Sequence, residues 1–295
     1  MSSVAVSHPA HSAGARLAPA RAWLLLAPAL LFLALLVVAC LLVLRMSVGT
    51  KGAETSGFTI ESYLHLGEPY YLRSLLLTMR LALFSAVLAV VLAIPVALTM
   101  ARLRNALARR MVLAAVLMPL LVNLLLQSYG WLVILGPSGL LNSMLKTLGL
   151  IERPVMLLFN ETGVLLGLAQ TAFPLAVLPI ASAVRAIDRA CEEAAATMGA
   201  TRWQTFLHVV LPMSLPGIVT GATLVFAYNA SSFVVPTLLG GRRVPMLAVV
   251  VHDQIAPMLN WPAASATGVV LIGATLAVMA LSEYASSGSR RKLGL

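Results

Sequence analysis

Six apolar runs, each about as long as a bilayer's hydrocarbon is thick, leave this chain almost no choice of fold. They cover residues 23–44, 75–101, 112–135, 163–184, 209–235 and 264–281, and a helix needs about 20 apolar residues to cross the hydrocarbon. No water inside a bilayer satisfies backbone N–H and C=O groups, so each run must close its own hydrogen bonds as a helix. The expected fold is all-α and polytopic, with six transmembrane helices. A soluble globule fails on composition: 60% of residues are hydrophobic and only 10% charged, too few polar side chains to coat one. Pro95, Pro119, Pro174, Pro179 and Pro216 fall inside the runs. In lipid such prolines are tolerated as kinks where neighbouring helices satisfy the freed carbonyls, so bent helices around a pathway are expected.

Lys and Arg in the connecting loops set the expected orientation, since acidic residues contribute little to it. Arg102, Arg104, Arg109 and Arg110 share a loop with no acid, and Arg185, Arg189 and Arg202 share another. With Arg16, Arg21, Arg290, Arg291 and Lys292 they give 12 basic residues on one side against 7 on the other, where Glu54, Glu61, Glu68, Glu152 and Glu161 are interspersed. That bias places both termini in the cytoplasm. The net charge of +10 is then a product of topology, and no nucleic-acid partner is expected. The basic flank and the run ending in Val37, Val38, Ala39 and Cys40 imitate a lipoprotein signal. Its apolar character continues to Leu44, well beyond the roughly 7–15 residues of a signal core, so the first span is expected to remain. Cys40 and Cys191 fall on opposite ends of the expected topology and have no metal-ligand spacing, so neither a disulfide nor a metal site is read from them.

No catalytic constellation is present. The sequence has no Gly-x-x-x-x-Gly-Lys-Ser/Thr loop to cradle the phosphates of ATP, no His-Glu-x-x-His zinc site and no Gly-x-Ser-x-Gly elbow. His8, His11, His65, His208 and His252 are scattered among tails and loops. The apolar runs hold only Arg80, near the outer part of the second, and Glu283 at the end of the last. That is poor equipment for an ion-coupled pump. Arg80 either takes an anionic or carbonyl partner in the bundle or snorkels to the interface. No cofactor is expected. What the spans do carry is uncharged polar and aromatic matter in three clusters: 127–131 with Gln127, Tyr129 and Trp131, 228–232 with Tyr228, Asn229, Ser231 and Ser232, and Gln170 with Thr171. Uncharged groups at membrane depth suit a binding or passage surface.

Between the fourth and fifth runs lies a polar segment, residues 193–212, EAAATMGATRWQTFLHVVLP. Residues 193–198 are good helix formers, Gly199 turns the chain, residues 201–208 form a second short helical piece, and Leu211 and Pro212 begin the next span. A polar segment held between two spans suits a cytosolic partner; the alternative is an Ala-rich amphipathic helix lying on the membrane surface. Glu193, Ala194 and Ala195, then Gly199 after three intervening residues, then Leu211 and Pro212, resemble the EAA loop of permease subunits of binding-protein-dependent ABC importers, with Val209 where that family usually has Ile.

The resemblance extends to the spermidine/putrescine-type branch. Pro119, Gln127, Tyr129, Gly130 and Trp131 are followed by 139–142 (GLLN), by Leu211, Pro212, Ser214, Pro216, Gly217 and Ile218, by Phe233, Val234, Pro236 and 238–241 (LLGG), and by Asn260, Trp261 and Pro262. Two positions depart from it: Gln127 stands where the branch has Arg, and Ser232 where it has an acid. The resemblance implies the type I ABC importer permease fold and a translocation subunit rather than an enzyme, with multi-pass placement in a bacterial inner membrane. Implied partners are two copies of a cytoplasmic ATPase subunit, a second permease of a different chain, an extracytoplasmic solute-binding protein and a small polyamine-like solute. Ser232 leaves amino-acid derivatives and organophosphonates open, and a stand-alone secondary transporter is the more distant alternative. Glu193, Ala194, Ala195, Gly199, Leu211 and Pro212 are the implied ATPase-coupling residues. Gln127, Tyr129, Trp131, Tyr228, Asn229, Ser231 and Ser232 are the candidate pathway. The expected organisation is a mobile cytoplasmic tail (1–21), a first helix and extracytoplasmic loop (22–74), a core of five helices (75–284) carrying the coupling loop (185–208), and a basic cytoplasmic tail (285–295).

Overall fold

The computed structural model describes residues 19–50 and 57–293, with side chains for 26–50 and 57–284. Most of the expected N-terminal tail, with Arg16, and the loop residues Lys51 and Glu54 lie outside the described residues, as do the side chains of Arg21, Arg290, Arg291 and Lys292. The chain divides into two compact units, 1–45 and 46–295. The first is essentially α1 (Pro19–Ser47), an apolar helix whose Leu26–Ser47 portion is long enough to cross a membrane.

The second unit carries α2 (Glu61–His65), α3 (Pro69–Arg102), α4 (Ala106–Leu121), α5 (Leu124–Leu135), α6 (Leu140–Thr147), α7 (Glu161–Ala186), α8 (Arg189–Thr197), α9 (Arg202–Thr205), α10 (Leu211–Ala230), α11 (Leu247–Ile255) and α12 (Trp261–Leu293). Six helices among the described residues are long and apolar enough to span. Helix α7 packs between α3 and α10. It runs parallel to α3: Glu161 at its start pairs with Arg80, and its last turns share a cavity with Met100.

Small residues allow this close approach. On α3 the buried face repeats every three or four residues as Thr78, Ala82, Ser85, Ala86, Ala89, Ala93 and Ala97, and α7 answers with Ala169, Ala172, Ala176, Val177, Ile180 and Ala181. Lipid offers helices no hydrophobic gain from associating, so close van der Waals packing of small side chains must hold them together. At Gly217 of α10 the backbones come nearest: a Cβ there would sit 2.5 Å from Ala183 Cβ and 2.6 Å from the Pro179 carbonyl oxygen.

Two expected spans are corrected. The third, expected over 112–135, breaks at Val122 and Asn123 between α4 and α5, and the stretch long and apolar enough to span starts at the break and covers Leu124–Thr147. Val122 is extended, neither residue is helical, and the Asn123 side chain caps α5 by accepting from the Leu125 N–H at 2.8 Å. A capping Asn satisfies an orphan N–H that would otherwise favour a continuous helix. The helix that carries the fifth, expected over 209–235, runs from Arg202 to Ala230. Leu211 and Pro212 therefore do not start that helix: one π-turn, Phe206–Val210, joins α9 to α10 without a break. Serines follow at 231 and 232, and a second π-turn occupies Pro236–Gly240.

Candidate functional site

The segment between α7 and α10 is two helices joined by a built corner. Asp188 caps α8, accepting from the Ala190 N–H at 3.0 Å. The helix ends when Gly199 N–H donates to the Ala196 carbonyl and Ala200 N–H to that of Ala195, both at 3.0 Å, with Gly199 at φ +85°. This is a Schellman ending, whose left-handed position favours glycine because a Cβ there crowds the following carbonyl. Two residues on, a capping box starts the next helix: Gln204 N–H donates to Thr201 Oγ1 at 3.3 Å, and Thr201 N–H donates to Gln204 Oε1 at 2.8 Å.

The corner separates an outward face from an anchor. Glu193, Ala194, Met198, Gly199 and Trp203 are exposed, whereas Ala195 and Thr205 are buried and Leu211 and Pro212 half-buried. Met198 and Trp203, 83% and 66% exposed, are large apolar side chains on an otherwise polar segment. Beside them Ala195, Gly199, Gln204, Thr205 and His208 line an open groove of about 410 Å³.

Sequence reasoning missed the tie between this segment and the bundle. Arg102, at the end of α3, pairs with Glu192 of α8, each about seven-tenths shielded. An exposed pair contributes roughly 0–1 kcal/mol, but breaking a partly buried one costs more because the remaining charge is left shielded from water without its partner. Arg102→Glu should therefore loosen α8, seen as faster amide exchange over 190–198, and Glu192→Arg in the same chain should restore protection. Equal exchange in the single and the double variant would contradict the tie.

The second constellation is polar and lies along the spans. Asn229 of α10 is fully buried, and its Nδ2 donates to Ser85 Oγ of α3 at 2.8 Å. Its Oδ1, like Gln127 Oε1 on α5, has no hydrogen-bond partner among the described residues. Trp131 Nε1 donates to Gln170 Oε1 at 3.0 Å, joining α5 to α7. The structure thus turns the expected pathway residues two ways. Gln127, Trp131 and Asn229 face the interior, while Tyr129, Tyr228 and Ser231 are exposed and Ser232 is half-buried. The exposed members belong to helical stripes: Leu126, Tyr129, Gly130 and Val133 on α5, and Thr220, Leu224 and Tyr228 on α10 with Ser231 at its C-cap. No cluster of His, Cys, Asp and Glu fit to hold a metal occurs among the described residues.

Arg80, left open by the sequence, pairs with Glu161 at the start of α7. Neither residue lies near the polar clusters in sequence, and the pair spans 81 positions.

Residues 89–291 match the family described as binding-protein-dependent transport system inner membrane component. The spermidine/putrescine transport system permease protein PotB of Escherichia coli (strain K12) is 32% identical over 214 residues, covering 72% of this chain and 78% of that protein. PotB of Haemophilus influenzae is 37% identical over 153 residues, 52% of this chain and 54% of its own length. Among structures, a chain of a bacterial ABC transporter involved in the import of the acidic polysaccharide alginate superposes with a TM-score of 0.74 at 20% identity, covering 92% of this chain and 96% of that one. That likeness speaks to fold.

Proposed function

The chain belongs to the family of binding-protein-dependent transport system inner membrane components, and we propose from that premise how its parts divide the work of import. It is a multi-pass inner-membrane permease subunit of a bacterial ABC importer, with ATP hydrolysed on a separate subunit. In our reading both termini and the α8–α9 corner face the cytoplasm. Two ATPase subunits drive the cycle, a second permease of a different chain completes the pathway, and an extracytoplasmic binding protein delivers the solute.

One observation carries this division: the α8–α9 corner presents Glu193, Ala194, Met198 and Trp203 outward while Ala195 and Arg102–Glu192 hold it to the spans. A docked ATPase that moves the outward face moves the bundle with it. At the other functional surface, the α5 and α10 stripes carrying Tyr129, Tyr228 and Ser231 would meet the second permease and border the pathway. Gln127, Trp131 and Asn229 would set its shape from behind, and Ser232 would sit at its edge.

The solute we propose is a polyamine, as in the relatives' names, met by aromatic faces rather than by buried acids. A cation over a Tyr ring gains about 0.5–2 kcal/mol, so Tyr129→Ala and Tyr228→Ala should each raise the KM for spermidine uptake roughly twofold to thirtyfold. Unchanged KM in both would remove these rings from the pathway. Ser232, where the branch has an acid, favours a second reading: an amino-acid derivative or organophosphonate. Uptake into proteoliposomes holding the complete transporter separates the readings. ATP-dependent entry of labelled spermidine supports the first, and entry of the other solutes without spermidine supports the second. Entry without ATP would overturn both in favour of a secondary transporter.

A further inference from the structure

At the Pro69 end of α3 lies a cavity of about 700 Å³, lined by α3, by Glu161 and by Arg242, Arg243 and Pro245. Four arginines, Arg73, Arg80, Arg242 and Arg243, meet a single carboxylate there, and Arg80 already occupies it. The other three guanidiniums make no ion pair among the described residues. Ser74, also lining the cavity, is 1% exposed, and its hydroxyl has no hydrogen-bond partner among the described residues. A buried hydroxyl without a partner is costly, and the three arginines, all exposed, repel one another through water with no counter-charge beside them. An anion with several acceptor oxygens relieves both at once, and guanidinium donors fit phosphate in a bidentate manner.

The surroundings identify the source of that phosphate. Arg73 and Arg80 lie two turns apart on one face of α3 with Leu76, part of the cavity lining, between them, and Leu83 and Val87 continue the same face away from the cavity, each more than half exposed. A basic head above an apolar stripe is the outline of a phospholipid. We infer that this cavity holds the headgroup phosphate of an anionic phospholipid, with an acyl chain along Leu83 and Val87. A zwitterionic choline headgroup would bring its own cation among the arginines. A free phosphate would leave the stripe unused.

The test is native mass spectrometry of the assembled transporter in neutral detergent, titrated with phosphatidylglycerol, phosphatidylcholine or inorganic phosphate. Phosphatidylglycerol should be retained at least about tenfold more tightly than phosphatidylcholine. Arg73→Gln with Arg243→Gln should weaken it about fivefold per arginine, and Ser74→Ala by about threefold. If the double variant does not assemble, Ser74→Ala, which removes one oxygen, carries the test alone. Equal retention of both lipids by the native protein, or undiminished preference in the variants, would overturn the site. Competition by inorganic phosphate at concentrations equal to the lipid would overturn the lipid assignment in favour of a soluble anion.

Discussion

Substituting Gly199 with leucine is expected to cut ATP-driven uptake at least about tenfold while basal ATP hydrolysis continues. The reason is the backbone and not crowding: φ at Gly199 is +85°, and a Cβ there would meet nothing within 4 Å. A side chain in the left-handed region costs about 1–2 kcal/mol, comparable to the roughly 1–3 kcal/mol expected of two hydrogen bonds. The chain escapes the strain by unwinding the last turn of α8, which breaks the Gly199 and Ala200 hydrogen bonds and changes the angle between the outward face and α9. Asparagine tolerates that region better than any other residue with a side chain. Gly199→Asn should therefore retain most uptake and Gly199→Ala should fall between. A leucine variant as active as asparagine would show that the turn's geometry does not transmit the ATPase stroke.

The second large effect is structural. At Gly217 the nearest atoms to an added Cβ are Ala183 Cβ and the Pro179 carbonyl oxygen, neither on a flexible side chain. A leucine there must push α10 off α7, and overpacking of this kind costs about 1–3 kcal/mol or more. At the upper figure, a chain of this size should lose roughly 6–12 °C in Tm. Gly268 in α12 is the control, since nothing lies within 4 Å of its added Cβ. Gly268→Leu should melt within a few degrees of the parent, and equal Tm for the two variants would contradict the close α7–α10 approach.

Much of this architecture is local and so could be read from the residues. The apolar runs announce the spans because lipid leaves a buried backbone no other partner. The turn at Gly199 is legible because a glycine after a run of helix formers has one common use. Thr201 and Gln204 also stood in the sequence as a capping box. That signal would have placed the start of the helix that carries the fifth span at Arg202 rather than beyond His208. Asn123 escaped notice for a different reason: it sits among leucines and valines, so average hydropathy runs straight over a residue whose single amide ends one helix and begins another.

The remaining misses are contacts between distant residues. Arg80 with Glu161, Arg102 with Glu192 and Asn229 with Ser85 are separated by 81, 90 and 144 positions, and no periodicity or spacing encodes such pairs. The polar clusters were found, but not which way each side chain turns. Tyr129 and Trp131, two residues apart, diverge by about 200° around a helix. One therefore reaches the exposed stripe and the other Gln170.

The measurement that bears most directly on the whole account is a cross-link from the α8–α9 corner. Cys40 and Cys191 are both exposed and must first become serine, after which Met198→Cys places one thiol on the outward face. With a short bifunctional thiol reagent and the cognate ATPase carrying single cysteines along its membrane-facing cleft, Met198→Cys should join the ATPase in good yield. That yield should change between the ATP-bound and nucleotide-free states. A corner that docks elsewhere, or that lies on the bilayer as an amphipathic helix, would give no ATPase adduct in either state while labelling freely with a soluble maleimide.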